Sequence, residues 1–155
     1  MQDTTVIYLL RERPREVLLG HKLRGFGEGR LTGIGGKVER GEAPLIAALR
    51  ELREEIKVWV RPKDARPMGR IVFRFPARPE WNHTMHVFVA SAWQGDPQPG
   101  AEVTPVWLPV EALPFDEMWD DARHWLPYVL DGQPVNAYCE YGPDNASVAL
   151  FEDAW

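Results

Sequence analysis

Residues 36–58, GKVERGEAPLIAALRELREEIKV, hold the pattern on which the reading of this chain turns. Gly36 is followed six positions later by Glu42, and eight positions further on begins the run Arg50-Glu51-Leu-Arg-Glu54-Glu55. Pro44 suits a first helical turn, where its missing N–H would have no partner in any case. From there Leu45, Leu49, Leu52 and Ile56 recur at helical spacing as one apolar stripe, while Glu51, Glu54 and Glu55 share a different stripe at i, i+3 and i+4. The predicted helix therefore has a core side and an anionic side. Like charges so spaced cost about a few tenths of a kcal/mol per pair. A hard divalent cation, Mg²⁺ or Mn²⁺, offsets that cost and bridges to phosphate oxygens. Many glutamate-rich helix faces are merely solvated, so the helix by itself leaves both readings open.

Outward from this stretch, the 155-residue length fits one domain, 1–155, burying roughly two thirds of its unfolded surface in a single core. With 45% hydrophobic residues and no long apolar run, the chain reads as soluble, without a membrane span. Met1 to Thr5 do not resemble a secretory leader, and Cys139 has no cysteine to pair with, so a cytoplasmic monomer is expected. A net charge of −5 argues against polymeric nucleic acid as partner, because such binding is driven by Lys and Arg. A small anionic nucleotide that brings its own cation remains compatible.

Thr5 to Leu10 and Glu16 to Leu19 read as paired strands, and Arg24-Gly-Phe-Gly-Glu-Gly-Arg30 as a flexible loop that Gly33 to Gly36 prolongs. Strands are expected over Gly69 to Phe75, with Ile71, Phe73 and Phe75 on one face, and over Met85 to Ala90 and Pro105 to Val110. Asp120 or Asp121 is placed to cap a helix running through Trp125 toward Leu130, bent at Pro127. Asn136 to Tyr141 and Ser147 to Glu152 form a closing hairpin. His83 and His86, three apart in a strand, point to opposite faces and make a poor joint site; each is expected to be structural or exposed, and Cys139 structural.

The spacing of Gly36, Glu42, Arg50, Glu51, Glu54 and Glu55 resembles the signature of the Nudix hydrolases, which cleave diphosphate linkages in nucleotides. Beyond the signature, the chain is similar to the branch that hydrolyses oxidised purine nucleoside triphosphates such as 8-oxo-dGTP. The segments that carry this are Val17-Leu-Leu-Gly20, Lys22 with Arg24-Gly-Phe-Gly27, Gly35-Gly-Lys-Val38, Ile71-Val-Phe73, His86-Val-Phe88, and Pro114-Phe115 leading to Met118-Trp119. The resemblance implies an α+β fold, an α/β/α sandwich on a central mixed β-sheet carrying the loop-helix-loop signature. It also implies metal-dependent attack of water on phosphorus, releasing a nucleoside monophosphate and pyrophosphate. Carried over, Glu51, Glu54 and Glu55 bind the metal with Gly35 and Glu102 as further ligands, Glu54 or Glu55 polarises the water, and Arg50 pairs with Glu42. Thr5, Lys22, Phe26, Thr32, Phe73, Trp119, Asp120 and Asp121 fall at substrate positions.

Several residues depart from the family pattern. Lys57 stands where a glycine usually ends the helix; if the left-handed conformation is kept, its side chain costs on the order of 1 kcal/mol. Thr32 replaces an asparagine on the base edge, with Leu31 before it in place of a tryptophan. Aligned without a gap on Trp119 and Trp125, Asp121 matches the first of an acidic pair and Ala122 replaces the second; a one-residue slip restores Asp120 and Asp121 as the pair. Altered partners of this kind change base discrimination. Besides oxidised purine triphosphates, a diphosphatase of unmodified or methylated purine triphosphates, dinucleoside polyphosphates or nucleotide sugars stays open. So does a non-catalytic nucleotide sensor.

Overall fold

In the computed structural model residues 1–153 are described; the last two residues of the expected 1–155 domain lie outside the described residues. Strand β1 (Gln2–Arg11) turns Val6, Tyr8 and Leu10 to one face and Ile7 and Leu9 to the other, and all five are buried. A strand apolar on both faces belongs inside a sheet. β1 is the hub: it runs parallel to β6 (His83–Ala90), antiparallel to β4 (Ile34–Lys37), and pairs through Leu10 and Arg11 with β2 (Glu16–Lys22). Beyond β6 come β5 (Ala65–Arg74), then β8 (Val135–Tyr141) parallel to it, then β9 (Val148–Asp153). On the other side β2 pairs with both β3 (Leu31–Thr32) and β7 (Val103–Pro109). The result is a mixed sheet.

Helix α1 (Pro44–Ile56) buries Ala48, Leu49, Leu52 and Ile56 against Ile7, Leu9, Leu18 and Phe88. Helix α2 (Ala122–Leu130) buries Trp125, Leu126 and Val129 against the opposite face, among Tyr8, Met68, Ile71 and Ala137. One helix on each face of a central mixed sheet is the expected sandwich. At the end of α1, Lys57 adopts the left-handed conformation (φ 61°, ψ 40°), with its N–H on the Arg53 carbonyl at 3.2 Å and the Val58 N–H on the Leu52 carbonyl at 3.3 Å. The helix exit thus keeps the geometry that suits glycine and carries a side chain through it.

Three expectations need correction. Gly33 to Gly36, read as loop, lies mostly in β4, where Thr4 to Ile7 face Lys37 to Ile34 in register. Glycine serves close approach here: a Cβ on Gly35 would sit 1.9 Å from the Thr5 carbonyl oxygen. Arg24 to Arg30, read as flexible, is a set of tight turns closed by Lys22 N–H to the Arg30 carbonyl (3.0 Å) and Gly29 N–H to the Lys22 carbonyl (2.9 Å). Asp121 does precede α2, but its carboxylate makes no capping bond and is spent elsewhere. Among the described residues no helix is long and apolar enough to cross a membrane.

Candidate active site

Turning β4 into α1 brings the signature residues together. Glu42 receives the Arg50 guanidinium through two contacts, Nε to Oε2 at 2.8 Å and Nη2 to Oε1 at 3.0 Å, while Nη2 also donates to the Lys37 carbonyl at 3.1 Å. This bidentate pair ties the loop to the helix, and with a Glu39 N–H bond it holds the Glu42 carboxyl down at about 2. Arg50 Nη1 continues to Glu51 (3.0 Å) and Glu54 (3.2 Å). One guanidinium therefore compensates two of the three glutamates of the anionic stripe.

The three glutamates differ in surroundings. Glu54 is exposed. Glu51 lies against the backbone of Gly36, where a Cβ would come within 2.6 Å of its Oε1. Burial raises the Glu51 carboxyl, opposed by Arg50. Glu55 is pushed up to about 7, first by burial and then by Glu51, with Lys22 opposing. Glu102 adds to that repulsion but accepts from Arg24 at 2.9 Å. Among the described residues no three Asp, Glu, His or Cys side chains converge on one point. Arg50 holds Glu51 and Glu54, and Arg24 holds Glu102. The chemistry of the donor set still fits a hard cation: two carboxylates crowded and partly dehydrated beside glycines that leave the approach open.

From this acidic end a cleft of about 530 Å³ runs along the sheet, lined at one end by Lys22, Gly35, Gly36 and Glu55 and at the other by Phe26, Phe73, Phe75, Trp81, Trp119 and Asp121. Most of the expected substrate residues meet here. Thr5 is buried in β1 on the cleft wall, and its Oγ1 has no hydrogen-bond partner among the described residues. Thr32 lines the cleft but donates its hydroxyl to the Gly33 carbonyl at 2.8 Å. Phe73 is buried and stacks on His83 at 4.9 Å. Trp119 stacks on Phe26 at 5.0 Å, and the Arg30 guanidinium lies 4.2 Å from its ring centre. The ring expected to face a base is thus engaged within the chain.

The two aspartates separate. Asp121 is buried on the cleft floor and accepts from Trp125 Nε1 at 2.8 Å and from the Tyr141 hydroxyl. Asp120 is turned away, accepting from the Val148 N–H at 2.9 Å and Arg123 Nε at 3.0 Å, and does not line the cleft. Placing Asp120 among the base contacts is therefore corrected. Its carboxylate holds β9 to the start of α2.

Among the cleft residues that escaped the sequence reading as site groups are Tyr8, Trp81, His83 and Tyr141. Strand alternation rightly sets His83 and His86 on opposite faces, but the inward one lands in the cleft. There burial lowers its pKa, and Nδ1–H donates to the Trp81 carbonyl at 2.7 Å. His86 instead meets Asp3 at 3.1 Å. Tyr141 shares the inward face of β8 with Val135, Ala137 and Cys139, an alternation legible in the sequence, though the register on β5 that aims it at Asp121 is not.

A clustered acidic helix face, a glycine-lined approach and an aromatic cleft joined to both define a hydrolase for phosphate compounds with a flat organic part. The chain matches the NUDIX domain family over residues 1–129. It is 39% identical over 126 residues to the oxidized purine nucleoside triphosphate hydrolase of Mus musculus, covering 81% of this chain and 78% of that one. The Danio rerio protein of the same description is 37% identical over 129 residues, with 83% and 81% covered. Among solved structures, a MutT protein from Bacillus halodurans superposes with a TM-score of 0.80 over 99% of this chain and 98% of that one, at 21% identity, a likeness of fold. The chain belongs to the Nudix family and is a hydrolase acting on phosphorus anhydrides. Hydrolases of this family work with divalent metal ions.

Proposed function

We propose that this protein is a Mg²⁺-dependent nucleoside triphosphate diphosphatase that releases a nucleoside monophosphate and pyrophosphate and prefers oxidised purine nucleotides such as 8-oxo-dGTP, with Mn²⁺ as a substitute ion. The observation that carries this is the continuous cleft, lined by aromatic rings and Asp121 at the base end and by Lys22, Gly35, Gly36 and Glu55 at the phosphate end. Similarity to the two oxidized purine nucleoside triphosphate hydrolases supports the substrate class.

Glu51, Glu54 and Glu55, with the Gly35 carbonyl and Glu102, would hold the ion, which supplies charge neutralisation on the phosphate oxygens and acidifies water. The chain's own groups do the positioning. Lys22 steers the phosphates toward Glu55, Arg50 keeps the glutamate stripe oriented through Glu42, and Glu54 or Glu55 accepts the proton of the attacking water. A planar base takes the place beside Trp119 that Phe26 holds. We place the protein as a single-domain monomer in the cytoplasm, consistent with its charge and with its one cysteine, buried in β8.

Two features favour a second reading, in which an unmodified or methylated purine triphosphate is the better substrate. The Thr32 hydroxyl is committed to the Gly33 carbonyl, and Ala122 follows Asp121 on the cleft floor. Pyrophosphate release under Mg²⁺ across a panel of oxidised, unmodified and methylated purine triphosphates decides between them. A higher kcat/KM for 8-oxo-dGTP than for dGTP supports the first reading, and equality overturns it.

A further inference from the structure

Asp121 is the one aspartate on the cleft floor, and its surroundings restrict what it can read. The Tyr141 hydroxyl accepts the Asp121 N–H at 3.1 Å and donates its proton to Oδ1 of the same residue. Trp125 Nε1 donates to Oδ2 at 2.8 Å. Each carboxylate oxygen thus takes one donor from inside the protein, and the closed loop through Tyr141 fixes the side chain in one rotamer. The clamp itself is rigid. Tyr141 stacks flat on Phe75 (4.7 Å, 12°) and meets Trp119 edge-on at 5.6 Å, while Trp125 meets Tyr8 edge-on at 6.1 Å.

A carboxylate offers about four acceptor sites. Burial raises the Asp121 carboxyl, and the bonds donated by Trp125 and Tyr141 oppose that by favouring the ionised form. As a carboxylate with two inner sites filled by donors, it leaves to the cleft an edge that accepts hydrogen bonds and has none to give. A guanine-type base presents a ring N–H beside an amino group, two adjacent donors that satisfy such an edge. An adenine-type base presents a ring nitrogen lone pair beside its amino group, which sets acceptor against acceptor. Beside Asp121, Ala122 brings no second carboxyl to correct the mismatch, Asp120 is committed to Val148 and Arg123, and Glu80, the acid next to Trp81 in the cleft lining, is exposed.

We infer that Tyr141 and Trp125 are positioning residues that lock Asp121 as an acceptor-only reader, so that the enzyme selects triphosphates of guanine-type over adenine-type purines. This rests on the proposed function in taking the aromatic end of the cleft as the base site.

The test measures kcat and KM of the full chain for 8-oxo-dGTP, dGTP, 8-oxo-dATP and dATP. The wild type is expected to favour the guanine-type member of each pair by about 100-fold in kcat/KM. Equal treatment of the two classes overturns the inference. Tyr141→Phe keeps the ring and its stack and removes the lock; the expected result is a KM for guanine-type substrates raised about tenfold, little change in kcat, and a narrowed gap between classes. An unchanged KM and gap in this variant would sink the positioning role. Should it fail to fold, Asp121→Asn carries the test. An amide in this seat is expected to abolish or reverse the preference, and a retained guanine preference overturns the inference. The parent reading fails separately: a wild type that separates guanine from adenine types while ignoring oxidation loses the oxidised-purine assignment and keeps this one, and the converse result does the opposite.

Discussion

The acidic end of the cleft takes most of its chemistry from residues 35–57, a single strand-loop-helix passage, whereas the base end is assembled from β1, β5, β6, α2 and β8, with Tyr8 and Tyr141 coming from opposite ends of the chain. At the acidic end, charges meet at helical spacing and through one arginine, so local geometry suffices. At the base end nothing meets until the sheet has formed, because the parallel β5–β8 pairing delivers Tyr141 to Asp121. Reaction chemistry sits in a compact sequence unit, and selectivity sits in long-range packing.

Perturbing the two ends should give different kinetic signatures. The largest effect is expected for Glu54→Gln, whose exposed side chain can change without harming the core; turnover should fall by on the order of 10²- to 10⁴-fold, followed as pyrophosphate release under Mg²⁺. Unchanged release would remove Glu54 from the mechanism. Trp119→Ala, at the other end, should raise KM roughly tenfold to a hundredfold with kcat largely kept, since base stacking contributes about 1–3 kcal/mol. A collapse of kcat instead would show that the two ends are not separable.

Arg50→Ala should reduce both activity and stability, because it frees Glu42 and leaves Glu51 and Glu54 uncompensated; a loss of about 2 kcal/mol is expected in urea unfolding. Lys57→Gly relieves a left-handed side chain and should add about 1 kcal/mol, raising Tm by about 2–4 °C, with activity unchanged if the helix exit is only structural. The last effect concerns pH. Glu55 titrates near 7 in the folded chain, above an unfolded carboxylate, so the folded form holds a proton that the unfolded form has released. Stability of protein in EDTA should therefore fall as pH rises from about 4.5 to about 7. Glu55→Gln should flatten that slope in Tm measurements, and a slope unaffected by the change would assign it to other groups.

Much of the fold was legible because its signals are periodic. The α1 stripe of Leu49, Leu52 and Ile56, the alternation of Ile71, Phe73 and Phe75, and the β8–β9 hairpin all follow from spacing alone. Glycine was the weak signal. In Gly33 to Gly36 it permits backbones to touch inside a sheet, and composition cannot distinguish that from a loop. The aspartates show the same limit. Spacing from Trp119 and Trp125 left two registers open, and only the placement of Val148 and Arg123 around Asp120, and of Tyr141 around Asp121, separates them.

By itself the sequence determined the carboxylate helix and the Arg50–Glu42 tie, because these interactions run between residues close along the chain. Only the tertiary structure decided which aspartate faces the cleft, that His83 and Tyr141 line it, and that Phe26 packs on Trp119. Those facts depend on strand register, and register is settled by burying both faces of β1 together with the Ile71 and Phe73 face of β5, a property of the whole sheet and of no single segment.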